Sequence, residues 1–273
     1  MHRLSNAWRL AQASWRVIAR DRELILVPVV AAVAAVVAFL VVVSPGALIG
    51  GGDDGSGGWA LWLFGALALL VATWIFAIGQ ATVVAGAGQR MDGGNPTIGS
   101  AFAQARGRVG RIFEWALLAT VVALVLDFLE DRLGVAGRIV SWLGGAAFSI
   151  LSFLALPVIV FENVGAIDAF KRSAQLLKAT WGEQVAFTFG MGLLGFLLAL
   201  PAILVGGLLL ATGAVVLQAI GVVAAVLWIG LVAATVSALS AVFKTALYRH
   251  AVGRPVDPAF TPADLSGAFQ PKS

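Results

Sequence analysis

The chain has no cysteine, which excludes a disulfide framework, a thiol nucleophile and a thiolate metal site. Its two histidines, His2 and His250, stand near opposite ends and form no metal-ligand motif with nearby carboxylates. A nucleophile elbow, a phosphate loop and a zincin helix are missing too. No polar segment is long enough to fold a catalytic domain. The sequence therefore predicts a protein that is not an enzyme and uses no metal or cofactor. Charge is also scarce: 12% of the residues are Asp, Glu, Lys or Arg, against about 25% in a soluble chain.

What is abundant is apolar sequence. Hydrophobic residues make up 60% of the 273, and mean hydropathy is +0.96. Several apolar runs reach about 20 residues, the length that crosses a ~30 Å hydrocarbon core. The alternation and turn spacing of a membrane barrel are absent. The fold class expected is all-α: a polytopic bundle of six transmembrane helices. The runs are Leu24–Val43, Trp59–Ile78 (with helix continuing to Gly88), Ile112–Leu129, Ile139–Phe161, Val185–Ala211 and Ala214–Val242. The first is longer than the roughly 7–15 residues of a signal-peptide core, so it reads as a retained span. The turn at Thr212 and Gly213 is short enough to make the last two spans an antiparallel hairpin.

Charge sets the orientation. Arginines 3, 9, 16, 20 and 22 precede the first span. Arg90, Arg106, Arg108 and Arg111 lie between the second and third. Lys171, Arg172 and Lys178 lie between the fourth and fifth, and Lys244, Arg249, Arg254 and Lys272 follow the sixth. The opposite side holds only Arg132 and Arg138. The positive-inside rule makes the rich side cytoplasmic, with both termini on it, in a plasma (inner) membrane. The pI near 10.1 thus points to anionic headgroups rather than nucleic acid. The outer Gly-rich loop with Asp53 and Asp54 reads as a solvated linker.

Three amphipathic segments precede the odd-numbered spans. Their apolar stripes are Leu4, Trp8, Ala11, Trp15 and Ile18; Ile98, Phe102, Ala105, Val109 and Ile112; and Ile167, Phe170, Ala174, Leu177 and Trp181. Steps of three and four put each set on one helical face, as in helices that lie in the membrane interface. "NAW", "SAF" and "DAF" recur at Asn6–Trp8, Ser100–Phe102 and Asp168–Phe170. A threefold internal repeat follows, with units of about 1–88, 89–161 and 162–250 and a Pro-containing tail at 251–273. Asn95 is the expected cap of the second interfacial helix, with Pro96 its first residue. In the tail, Leu265–Phe269 is expected to dock on the cytoplasmic face. In the sixth span Gly230, Ala234 and Ala238 offer small residues for close helix contact. Homo-oligomerisation is not predicted.

The span centres carry no charged residue, which removes the usual mark of an ion path. Glu114 stands one turn after Arg111 and reads as its structural ion-pair partner. Glu162 stands at the exit of the fourth span, where a carboxylate favours the dipole of the helix that follows or forms a structural ion pair with a cation from a neighbouring repeat. The expected lipid or partner contacts are Arg9, Arg16, Arg106, Arg108, Lys171, Arg172 and Lys178.

The stretch Pro157, Val158, Val160, Glu162, Ala169, Phe170, Lys171, Arg172, Ser173, Trp181 and Gly182 resembles the signature of a family of uncharacterised prokaryotic six-span membrane proteins, a domain of unknown function. Ser14–Pro28 and the tail residues Leu265, Ala268, Phe269 and Lys272 are similar to that family as well. The organisation also looks like the membrane domain attached to some glycerophosphodiester phosphodiesterases, but this chain lacks their catalytic barrel. The resemblance implies a fold and no catalytic residues. The expected role is a membrane scaffold or modulator that engages anionic lipid, or a protein partner on the cytoplasmic face. A transporter or channel for a lipid-like or neutral solute is the alternative, and an intramembrane enzyme using Glu114 and Glu162 the third.

Overall fold

A computed structural model describes residues 12, 14–16, 23–50, 58–178, 181–212 and 214–257; of these, the side chains of 178, 181–191, 193 and 194 are not described. The described residues are all helix and connecting turn, with no strand. We number the helices α1 (Glu23–Gly50), α2 (Gly58–Met91), α3 (Ile98–Arg106), α4 (Val109–Leu151), α5 (Ala155–Glu162), α6 (Ala166–Lys178), α7 (Trp181–Leu210) and α8 (Val215–Ala251).

Most of this chain is arranged as antiparallel hairpins. In the first, a Cβ on Gly46 of α1 would stand 2.7 Å from Phe64 of α2, and at the other end one on Gly86 would stand 3.0 Å from Leu24. In the last, the Trp228 indole of α8 donates to the Leu198 carbonyl of α7 at 2.8 Å, and Gly206 faces Ala225. The middle hairpin lies within α4. At Gly134 the backbone takes φ 55° and ψ −125°, which interrupts the helix. That combination is open to glycine and strained for any residue with a Cβ. The two arms then pack on each other: Gly144 against Leu126, and Trp115 stacked on Phe148 with centroids 5.8 Å apart. Arg138 and Glu130 pair across the tip at 3.3 Å.

Four helices among the described residues are long and apolar enough to cross a membrane: α1, α2, the run Val109–Glu162 and α8. Gly195–Leu210 of α7 is a shorter apolar helix. The outward surface is apolar as well. Leu48 and Val215 are 84% and 77% exposed. Such a surface suits hydrocarbon, not water.

The buried core lies at one end. It joins the last third of α2, all of α5 and the last third of α8, with Ala101 and Ala105 of α3 and Ala169 of α6 packed on it. All three second arms leave this end through a residue in left-handed conformation: Gly93 (φ 83°), Asn163 (φ 56°) and Gly253 (φ 70°). Gly94 and Arg254 then donate their N–H groups back to the Gln89 and Arg249 carbonyls, at 3.0 and 2.8 Å. These bonds satisfy helix-end carbonyls that otherwise lack donors.

Two expectations are corrected here. Thr97, not Asn95, caps α3: its hydroxyl accepts from Ser100 N–H, and Ser100 Oγ accepts from Thr97 N–H, both at 3.1 Å. Asn95 instead accepts from Arg90 at 2.9 Å. The stripe from Ile98 to Ile112 is also not one helix, because the chain turns at Gly107 and Arg108. The expected stripes divide: Ala105, Ile112 and Leu177 are buried, and other members face outward, as an interfacial helix requires. Ala101, Ala105, Ala169 and Ser173 face the core, whereas Phe102 and Ile167 are 46% and 62% exposed. Small side chains let helices approach closely, and large apolar ones can face lipid at no cost. The first interfacial segment lies largely outside the described residues, as do Asp53, Asp54 and Leu265–Phe269.

Candidate functional site

The polar side chains gather where the three second arms meet. Pro157 explains part of this. It has no N–H to offer the Phe153 carbonyl, and its ring crowds that carbonyl. The helix breaks at 152–154 and restarts as α5. Ser173 of α6, fully buried, accepts the Leu154 N–H at 3.0 Å and so satisfies the break.

At the far end of α5, Glu162 is held by two groups. The Tyr248 hydroxyl donates to its Oε1 at 3.0 Å, and Arg172 Nε lies 3.4 Å from the same oxygen. The Tyr248 ring stacks on Phe161, centroids 5.4 Å apart. Phe161 in turn fills the space beside Gly88. Immediately after Tyr248, Arg249 is buried. It pairs with the Asp92 carboxylate and donates to the Pro255 carbonyl at 2.7 Å and the Gly88 carbonyl at 3.4 Å. Residues from α2, α5, α6 and α8 are thus tied at one level.

Glu114 does two jobs. Its Oε1 pairs with Arg111 at 2.7 Å, and its Oε2 accepts the N–H of Ala166, the first residue of α6, at 3.3 Å. A carboxylate there also favours the helix dipole. Arg111 and Arg172 thereby have carboxylate partners, with side chains 46% and 43% exposed. Arg16, Arg106 and Lys171 are exposed, and no ion pair joins them to a carboxylate among the described residues. Arg108 is half-buried, and its buried Nε has no hydrogen-bond partner. Arg9 and the Lys178 side chain lie outside the described residues. No group of three or more His, Asp or Glu side chains that could hold a metal occurs among the described residues.

Sequence reasoning did not single out Tyr248 or Asp92, and it named Ser173 only as part of the family-like stretch. Two carry a signal. Tyr248 is the chain's one tyrosine, and Asp92 is the lone acid among four arginines between the second and third apolar runs. It also placed Lys244 with the interfacial cations. Lys244 is half-buried, and its Nζ stands 4.8 Å from the centroid of Phe153, at the helix break. A cation over an aromatic face is held by the ring quadrupole.

All-helical described residues, with four helices among them long and apolar enough to cross a bilayer, have the make-up of a membrane protein. Residues 60–256 match the model of DUF6159, a family of unknown function, and the chain belongs to that family. The similar-looking stretches at Ser14–Pro28 and in the tail fall outside the matched residues. No curated protein matches the chain.

Proposed function

We propose that the protein is a six-span, non-enzymatic scaffold or modulator of the plasma (inner) membrane, with both termini cytoplasmic. It engages anionic headgroups, or a partner protein, through its basic interfacial helices. Six spans follow from counting two arms in each of three hairpins, with α4 divided at Gly134 and α7 included. The left-handed exits at Gly93, Asn163 and Gly253 support a threefold repeat. The observation that carries the reading is the division of labour among the cations. Arg111, Arg172 and Arg249 have carboxylate partners, whereas Arg106 and Lys171 are exposed without one among the described residues. Glu114 and Glu162 are committed to internal contacts, which speaks against their serving as a catalytic pair.

The test is reconstitution into vesicles with and without phosphatidylglycerol. Binding of anionic lipid that drops several-fold in Arg106→Gln/Lys171→Gln, with the same unfolding midpoint, is the expected result. Identical lipid binding by the variant would sink the reading. A second reading, transport of a lipid-like solute, is favoured by the broken helix at 152–154 beside Lys244, because discontinuous helices build transporter sites. Solute leakage or lipid scrambling above that of empty vesicles, lost in Lys244→Met, would select it.

A further inference from the structure

The apolar exterior is uneven. Between α1, α2 and α3 lies a groove of about 270 Å³. Val30 and Ala34 line it from α1, Ile78 and Thr82 from α2, Ile98 and Phe102 from α3. It opens outward, since Val30 at its rim is 65% exposed. Thr82 donates its hydroxyl to the Ile78 carbonyl at 2.8 Å, so the wall presents no free polar group there. The occupant must be apolar and thin. A helix with its side chains is ~10 Å across and does not fit, whereas a single hydrocarbon chain does.

One end of the groove is marked by charge. Ile98, Phe102 and Arg106 follow one another at four-residue steps, so they form one row along α3. The first two line the groove, and the third is exposed with no carboxylate partner among the described residues. Arg108, just beyond, keeps a buried Nε that has no acceptor among the described residues. The α3 helix packs where Gly86 meets Leu24 and Ala101, so it closes the groove at the end of the bundle that holds the polar side chains.

We propose that this groove holds one acyl chain of an anionic phospholipid, with its phosphate on Arg106. The inference rests on the reading of α3 as a helix that engages anionic lipid, and it turns a general attraction into a defined site. Because the bilayer is as apolar as the groove, close packing of the chain against its walls, rather than burial from water, would hold it there. The guanidinium would supply the choice of headgroup, since Arg can hold a phosphate through two parallel hydrogen bonds.

The experiment uses the full chain in nanodiscs carrying a trace of phosphatidylglycerol or phosphatidylcholine with a photoreactive acyl chain. Cross-linked peptides are mapped by mass spectrometry. The expected result is labelling concentrated on Val30–Ala34 and Ile98–Phe102, stronger for phosphatidylglycerol. Ala34→Phe, at an exposed position, should fill the groove and cut this labelling several-fold. Val41→Phe, exposed and outside the groove, should leave it unchanged. Arg106→Gln should make the two lipids label equally. Even labelling of all lipid-facing helices, indifference to Ala34→Phe, a phosphatidylglycerol preference that survives Arg106→Gln, or cross-links to a second copy would each overturn the proposal. Labelling of α6 by phosphatidylglycerol that Lys171→Gln abolishes, with an unlabelled groove, overturns the site while sparing the broader reading. Loss at both places overturns both.

Discussion

The Tyr248 hydroxyl donates to Glu162 at 3.0 Å across 86 residues of chain, and the same tyrosine ring stacks on Phe161, the neighbour of Glu162. One side chain thus joins the last helix to the middle one by a polar and an apolar contact at once. Tyr248→Phe separates the two. The stack survives, and a partly buried carboxylate loses a donor. The expected cost is about 1.5 kcal/mol, read as a lower midpoint of thermal unfolding in detergent. Glu162→Gln should cost less in the Tyr248→Phe background than alone, because the hydroxyl is gone there and only the Arg172 contact at 3.4 Å is left to lose.

Gly88 leaves room for Phe161, since a Cβ there would stand 2.6 Å from the ring. Gly88→Ala should destabilise by about 1–3 kcal/mol through overpacking. Phe161→Leu should recover part of that loss in the double variant, and a double-mutant cycle measures the coupling. Purely additive costs would mean that the two sites do not touch.

Ser173→Ala leaves the Leu154 N–H buried without an acceptor. About 1–3 kcal/mol of stability should go with it, and Ser173→Thr should restore most of that. Hydrogen exchange localised to residues 152–156 is the sharper readout, because the loss begins at the helix break.

Gly134 carries the turn of the middle hairpin in a conformation that L side chains rarely adopt. Gly134→Ala should cost about 1–3 kcal/mol, although a Cβ there meets no atom within 4 Å. Backbone strain alone is therefore measured, by comparing unfolding midpoints with those of Gly207→Ala, a glycine in equally open space at ordinary φ.

Apolar helices were legible in sequence because length and hydropathy are local properties, but the expected span Ile139–Phe161 is broken at 152–154. Trp59 to Gly88 emerged as one helix, Gly58–Met91, and the Thr212 turn does set α7 against α8. The packed faces of α3 and α6 were legible only in part: buried Ala105 and Leu177 belong to the expected stripes, and buried Ala101, Ala169 and Ser173 do not. In water, a stripe of large apolar residues marks the buried side, but in a bilayer Phe102 and Ile167 are equally at home facing lipid, and alanine and serine mark the contact instead. The hub escaped for another reason. Arg249 and Asp92 are 157 residues apart, and no local pattern reports a partner at that distance. The cap of α3 was missed by two residues, because Asn95 and Thr97 are both good caps by type, and only the Ser100 bond chooses between them.

The one-ended core has a mechanical meaning. In the proposed six-span reading, three hairpins clamped together at their polar ends by Arg249, Tyr248 and Phe161 would behave as a tripod with its joint at the interface. Their free tips, around Gly50, Gly134 and Thr212, can spread or close as the surrounding bilayer thins or thickens, and adjusting tilt costs only fractions of a kcal/mol per Å of mismatch. Any such splay is levered about the joint, where α3 and α6 are mounted. On that reading, bilayer thickness and the posture of the basic helices would be mechanically coupled.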